Sequence, residues 1–206
     1  MPQDNFIIGY GSLLSAYSRQ TFSDIHHPAI SVTAHGWRRG WSTRDSDEGA
    51  TYASVRPDPD SSLVAALLPT EITAKLRHRE RSYEFVEVSP DTLTTREGSS
   101  IPGGRFWIVV NREYNRAQAK HPIPQSYVDT CLIGCMELGG ETMMRAFINQ
   151  TEHWNSYWIN DREWTQPLYP RRAPLTVEQA IFIDAVLDVE QVGKLRKSKP
   201  NNLNQY

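Results

Sequence analysis

The chain has 206 residues, 39% of them hydrophobic and 22% charged, with a formal net charge of −2. Those values suit a soluble globular protein of one domain, or one domain with an extension. They give no reason to expect nucleic acid or a membrane as partner. No apolar run approaches the roughly 18 residues of a membrane span, and Met1-Pro2-Gln3-Asp4-Asn5 does not read as a secretory leader, so a cytoplasmic location is expected.

Residues 5–9 read as a buried strand that runs into Gly9-Tyr10-Gly11-Ser12-Leu13-Leu14. The start resembles a dinucleotide fingerprint, but position 14 is Leu and no acidic residue follows a second strand about 20 residues on. Residues 12–22 are ambiguous, with a short helix as one reading. Residues 29–43 form one long strand with room for a bulge. Residues 51–56 alternate as a strand, 57–62 (Pro-Asp-Pro-Asp-Ser-Ser) read as a turn, and 63–68 as a fully apolar strand.

Thr70 is the expected cap of a helix reaching Arg79 or Glu80. Two strands follow, 82–88 and 105–110, with a loop between them over 90–104. A helix over 124–138 carries the stripe Tyr127, Cys131, Gly134, Cys135, Leu138. Further helices are expected over 141–153 and 176–195. Strands come first and helices later, which predicts an α+β fold: a small mixed β-barrel, closed or nearly so, with flanking helices. The barrel domain is expected over 1–145, an aromatic-rich segment and helix packed on it over 146–197, and a disordered polar tail from 198.

The two cysteines, Cys131 and Cys135, stand four apart on one helix face, about 5–6 Å between Cβ atoms. A disulfide needs about 3.5–4.5 Å, so two buried thiols are expected. The six histidines form no metal-ligand spacing and read as surface or loop residues.

Ile72, Leu76 and Glu80 fall on one helical stripe. An inward Glu80 would have its charged form disfavoured and suit proton transfer. An outward Glu80 would be an exposed ion-pair partner of Arg77, Arg79 or Arg81, worth little. The spacing alone leaves both readings open.

The order of these fragments resembles the γ-glutamylcyclotransferase-like superfamily over about residues 6–140. The first fragment matches its Tyr-Gly-Ser-Leu loop, and Arg79-Glu80-x-x-Tyr83 its Arg-Glu-x-x-Tyr. Gly36-Trp37-Arg38-Arg39 matches its Gly-Trp-Arg segment, and Pro124-Gln125-Ser126-Tyr127 its Pro-x-x-Tyr helix. The apolar strand 64–67 lacks the family's usual leading glycine. The resemblance implies a small mixed barrel and cyclisation of a γ-glutamyl group to 5-oxoproline. It implies Glu80 as general acid and base, and contacts to a small γ-glutamyl substrate from Tyr10, Gly11, Ser12, Leu13, Tyr83 and Tyr127, with no cofactor or metal required. Two other readings stand beside it: a non-catalytic ligand-binding module on the same fold, and removal of a γ-glutamyl cap in a biosynthetic pathway.

The stretch from 149 to 172 is unlike the smaller family members. Trp154, Tyr157, Trp158, Trp164 and Tyr169 are too many aromatics for a solvated loop. They read as a flap packed over the barrel, a lid on the pocket or a partner surface, with Arg162, Arg171 or Arg172 available to a substrate carboxylate.

Overall fold

The computed structural model describes residues 5–45, 47–81, 83–95, 98–111 and 113–197; the tail from 198 lies outside them. The fold is α+β. Strand β1, Asn5–Gly9, has four of its five residues buried. A 3-10 turn, Ser12–Leu14, and helix α1, Ala16–Ser23, follow it, so the ambiguous segment is helical in two pieces. Strands β2, Ile30–Asp45, and β3, Ala50–Pro69, pair antiparallel along most of their length and form the spine of the sheet.

Helix α2 is Ala74–Arg79 and β4 is Glu84–Val88. The loop expected over 90–104 holds a 3-10 turn and a short strand β5, Leu93–Thr95, that pairs with β2. Strand β6 is Arg105–Val110 and β7 is Ile123–Pro124. Helix α3, Gln125–Asn149, joins the two helices expected there, with a kink at Gly140. Strands β8, Thr151–Glu152, and β9, Trp158–Ile159, precede α4, Val177–Val189, and β10, Arg196–Lys197. Helix α4 is capped by Thr176, in a capping box with Gln179, and stops six residues short of the expected 195.

The main sheet runs β4-β6-β1-β3-β2-β5, with β8 added to β2. The β1–β6 and β2–β8 pairs are parallel and the others antiparallel. Its edges β4 and β5 do not pair with each other, so the sheet is a curled half-barrel rather than a closed one. Strands β7, β9 and β10 make a second, parallel sheet.

The turn expected at 57–62 is a bulge inside one strand. His35 pairs with Ser62 and Trp37 with Pro57, so Gly36 alone faces residues 58–61. Gly36 adopts φ +82°, a backbone state that side chains with a Cβ disfavour. The bulge shifts the phase of β2. Before it Val32 and Ala34 are buried; after it Trp37, Arg39, Trp41 and Thr43 are. This slip of three residues, an odd number, puts Arg39 on the core face.

The first three turns of α3 are buried all round rather than along one stripe. Its polar face is covered by the strap 151–175, which brings matching partners. Asp161, fully buried, accepts from the Ser126 N–H (2.8 Å) and hydroxyl (2.6 Å), supplying the cap that Pro124 cannot. Arg162 holds Asp129 through Nε and Nη2, both at 2.7 Å. The Ala173 N–H donates to the Thr130 hydroxyl at 3.0 Å. Cys131 and Cys135 are free and fully buried, as expected, and burial pushes the Cys135 thiol up to about 12.

Candidate active site

Helix α2 is capped by Thr73, not Thr70: the Thr73 hydroxyl accepts from the Leu76 N–H at 3.1 Å. Thr70 is instead tied to β1, its N–H donating to the Asn5 carbonyl at 3.1 Å. The later start makes the helix short. Glu80 falls at its C-cap, and its N–H closes the last turn on the Leu76 carbonyl at 3.0 Å. Leu76 is fully buried and anchors the helix, so Glu80, one turn on, is carried inward at 8% exposure. That resolves the two readings of its direction in favour of burial.

Glu80 lines an open pocket of about 740 Å³, part of it continuous with solvent. The pocket also takes in Tyr10, Gly11, Ser12, Leu13, Tyr83 and Tyr127, so all seven expected site residues come together. Burial holds the Glu80 carboxyl above the ordinary carboxylate range, and Arg79 and Arg171 pull it part of the way back. Two other carboxylates close by in sequence, Glu84 and Glu87, stand on β4, where Arg105 grips Glu87 at 2.9 Å.

Arg79 fixes this corner. Its Nε lies 3.4 Å from Glu80 Oε1. Its Nη1 donates to the Ser23 hydroxyl (2.7 Å) and the Ser18 carbonyl (3.0 Å), and its Nη2 to the Ser12 hydroxyl (2.9 Å). One guanidinium therefore binds α1, the 10–13 loop and Glu80 together.

The loop itself is held from three sides. The Tyr10 hydroxyl donates to the Val109 carbonyl at 2.7 Å. The Tyr10 carbonyl accepts from Arg39 Nη1 at 3.0 Å. Gly11 packs on Tyr127: a Cβ there would sit 2.5 Å from the phenol oxygen. Burial pushes the Tyr10 and Tyr127 phenols well above their usual pKa, so both stay neutral.

Several lining residues were not anticipated as site residues: Thr43, Arg44, Tyr52 and Ala53 on β2 and β3, and Val109 on β6. Tyr169 and Arg171 come from the strap. Arg171 Nη1 pairs with Glu48 at 2.8 Å, and the Tyr52 hydroxyl donates to the same Glu48. The strap divides in two. Trp154 packs against Trp41 and Trp158, each with ring centroids 4.8 Å apart, as a structural flap. The 169–171 end reaches the pocket. Of the three arginines considered for a substrate carboxylate, Arg171 lines it. Arg162 is occupied by Asp129 and Asp184, and exposed Arg172 donates to the Arg162 carbonyl.

Among the described residues no group of three or more His, Cys, Asp or Glu could hold a metal ion, and no helix is long and apolar enough to cross a membrane.

In sequence the chain matches no family model and no curated protein. In structure it matches proteins of one fold. A γ-glutamyl cyclotransferase superposes with TM-score 0.57 at 13% identity, over 87% of this chain and 98% of that one. An uncharacterized human protein gives TM-score 0.56 at 13% identity, over 86% and 96%. YkqA from Bacillus subtilis gives TM-score 0.50 at 15% identity, over 71% and 55%. The chain has the γ-glutamyl cyclotransferase-like fold, which enzymes and uncharacterized proteins share.

Proposed function

We propose that the protein cyclises the γ-glutamyl group of a small γ-glutamyl amine or peptide to 5-oxoproline and releases the amine. The observation that carries this is Glu80: a buried carboxyl with raised proton affinity, in a pocket it shares with the 10–13 loop. The same residues fit the site implied by the sequence resemblance.

The reaction needs little beyond positioning and one proton carrier. Ionised Glu80 takes a proton from the substrate ammonium. The freed nitrogen attacks the γ-carbonyl carbon and closes a five-membered ring. The oxyanion collapses, the bond to the departing nitrogen breaks, and Glu80 returns its proton to that nitrogen. Closure is intramolecular, so holding the curled conformer supplies much of the acceleration. The first N–H groups of the 12–14 turn have no carbonyl within the turn to bond, and they suit the oxyanion. Arg79 keeps Glu80 and the loop in register.

The test is incubation with a panel of γ-glutamyl peptides, glutathione among them, and assay for 5-oxoproline. Turnover that Glu80→Gln reduces at least 10²-fold supports the reading. Ligand binding with no product from any substrate points instead to a non-catalytic module.

A further inference from the structure

Helix α4 is apolar on both sides. Ile183, Val186 and Leu187 are buried against the body of the protein. On the opposite side Val177 is 72% exposed, Ile181 66%, Val189 60% and Phe182 37%. Ala185 is exposed among them. Val177, Ile181, Ala185 and Val189 stand four residues apart, so they make one continuous stripe. The other large apolar side chains exposed among the described residues are Tyr17, Tyr114 and Tyr157, each with a hydroxyl to offer water. A helix that is hydrophobic all round is normally buried all round, and α4 is buried on one side only.

We propose that this stripe is the contact surface of a homodimer, in which α4 of one copy packs antiparallel on α4 of a second copy across a two-fold axis. The inference is independent of the cyclisation reading above.

The size of the patch fits one side of a dimer. Together these side chains leave on the order of 400 Å² of apolar surface bare, within the range of about 300–600 Å² for the largest patch on a typical monomer. A standard interface takes about 800 Å² from each partner, a little over half of it apolar. The stripe supplies that apolar share and the residues around it supply the polar rim. Charge does not oppose the contact. The N-terminal end of the stripe carries exposed Arg172 and Glu178, and the C-terminal end exposed Asp188 and Lys194. Each end holds one cation and one carboxylate, so two copies meet without a surplus of either sign.

The side chains select a second copy, and they select its direction. A two-fold interface must be complementary to itself, and this stripe is complementary to its own reverse. Set antiparallel about the middle of the helix, Ile181 falls opposite Ala185, and Val177 falls opposite Val189. The largest residue of the stripe then meets the smallest, on both sides of the axis, and the valines close the two ends. Parallel packing would set Ile181 on Ile181 and Ala185 on Ala185, a clash beside a gap. Antiparallel packing also opposes the two helix dipoles.

The experiment measures self-association of the full chain by sedimentation equilibrium. A monomer–dimer equilibrium is expected, with a dissociation constant in the micromolar range or tighter. Ile181→Glu and Val189→Glu are each expected to weaken it at least tenfold. Both positions face solvent in the single chain, so the fold should tolerate them. Tyr17→Glu, at an exposed aromatic on α1, should leave association unchanged. Direction is read by disulfide cross-linking of Val177→Cys and Val189→Cys proteins. The two are expected to cross-link when mixed and much less when either is oxidised alone. Cys131 and Cys135 are fully buried and do not compete. A monomer at every concentration overturns the proposal, as does a dimer that neither glutamate disturbs or that Tyr17→Glu weakens equally. Cross-linking of each variant with itself in preference to the mixture overturns the antiparallel arrangement.

Discussion

Two of the charged residues buried in this protein, Arg39 and Glu80, are buried for different reasons. Arg39 is fully buried on β2 and Glu80 nearly so at the end of α2. Every terminal nitrogen of Arg39 is used. Nη1 donates to the carbonyls of Tyr10 and Val64 (3.0 and 3.1 Å), Nη2 to that of Phe147 (3.1 Å), and Nε to the Thr151 hydroxyl (2.8 Å). The guanidinium also lies 3.7 Å from the Phe147 ring centroid. No carboxylate pairs with it among the described residues. Burial lowers its pKa to about 10, so it remains a cation at neutral pH. Glu80 has Arg79 on one side and the pocket on the other. Burial alone does not mark a working residue. What separates the two is whether the buried group's bonding capacity is already spent: Arg39 is a structural tie, and Glu80 keeps a face for something else.

The largest effect expected from breaking the contrast is on the Arg39 side. Arg39→Met removes a costly buried charge but takes a donor from the Tyr10 and Val64 carbonyls, which no substitution can delete, while the Phe147 carbonyl keeps the Thr151 hydroxyl. That loss wins, because each unpaired buried carbonyl costs about 1–3 kcal/mol. A net loss of roughly 3 kcal/mol is expected in chemical denaturation, with disorder of the 10–13 loop. Wild-type stability in Arg39→Met would mean that these carbonyls find other donors and that Arg39 is no tie.

Glu80→Gln should do the reverse. It keeps the shape of the side chain and removes the proton carrier, so turnover is expected to fall at least 10²-fold while the denaturation midpoint holds or rises. A variant that unfolds more easily and still turns over would exchange the roles of the two residues.

The loop between the two charges supplies a smaller and more discriminating pair. Gly11→Val places a Cβ where the Tyr127 phenol oxygen sits, and about 1–3 kcal/mol of strain is expected to displace one of them. Ser12→Ala removes one acceptor from Arg79, which keeps the Ser18 and Ser23 contacts, so a loss near 1 kcal/mol is expected. The kcat/KM values should fall in that order. The opposite order would make the Ser12 hydroxyl itself a working group.

The sequence pattern was readable where a residue's role depends on its neighbours in the chain. Strands β1 and β6 stand where their apolar runs end, and Glu80 follows from Leu76 by helical spacing. It was unreadable where the role depends on register or on a distant segment. Arg39 faces the core because Gly36 and the 58–61 bulge shift the register of β2 on β3 by three residues, an odd number, and the Pro-Asp-Pro-Asp run at 57–60 reads as a chain reversal. The α3 face bearing Asp129 and Thr130 looks solvent-facing, since its partners, Arg162 and the Ala173 N–H, lie over 30 residues on. Tyr169 and Arg171 reach the pocket by the same strap, and no local spacing signals that. The Arg79-Glu80 pair was visible as a motif, but the reach of Arg79 to α1 and Ser12 was not.

The smallest expected effect, and the one most specific to Glu80, is the pH dependence of stability. Its folded-state pKa is raised, chiefly by burial. Below the ordinary glutamate pKa of about 4.3, both folded and unfolded chains carry the proton, and Glu80→Gln and wild type should differ little in slope. Above it the unfolded chain ionises while the folded one still holds the proton, so wild-type stability declines with pH. The decline stops once pH passes the raised folded value. The Gln variant has no such group. Its stability advantage should therefore grow from about pH 4 upward and then level off. Arg39 contributes nothing in this window, because its own pKa comes down only to about 10. Denaturation curves of both proteins between pH 4 and 8 measure the difference directly. A difference that is flat across that range would show that the Glu80 carboxyl is solvated in solution, and the distinction drawn between the two buried charges would then fail on its acidic side.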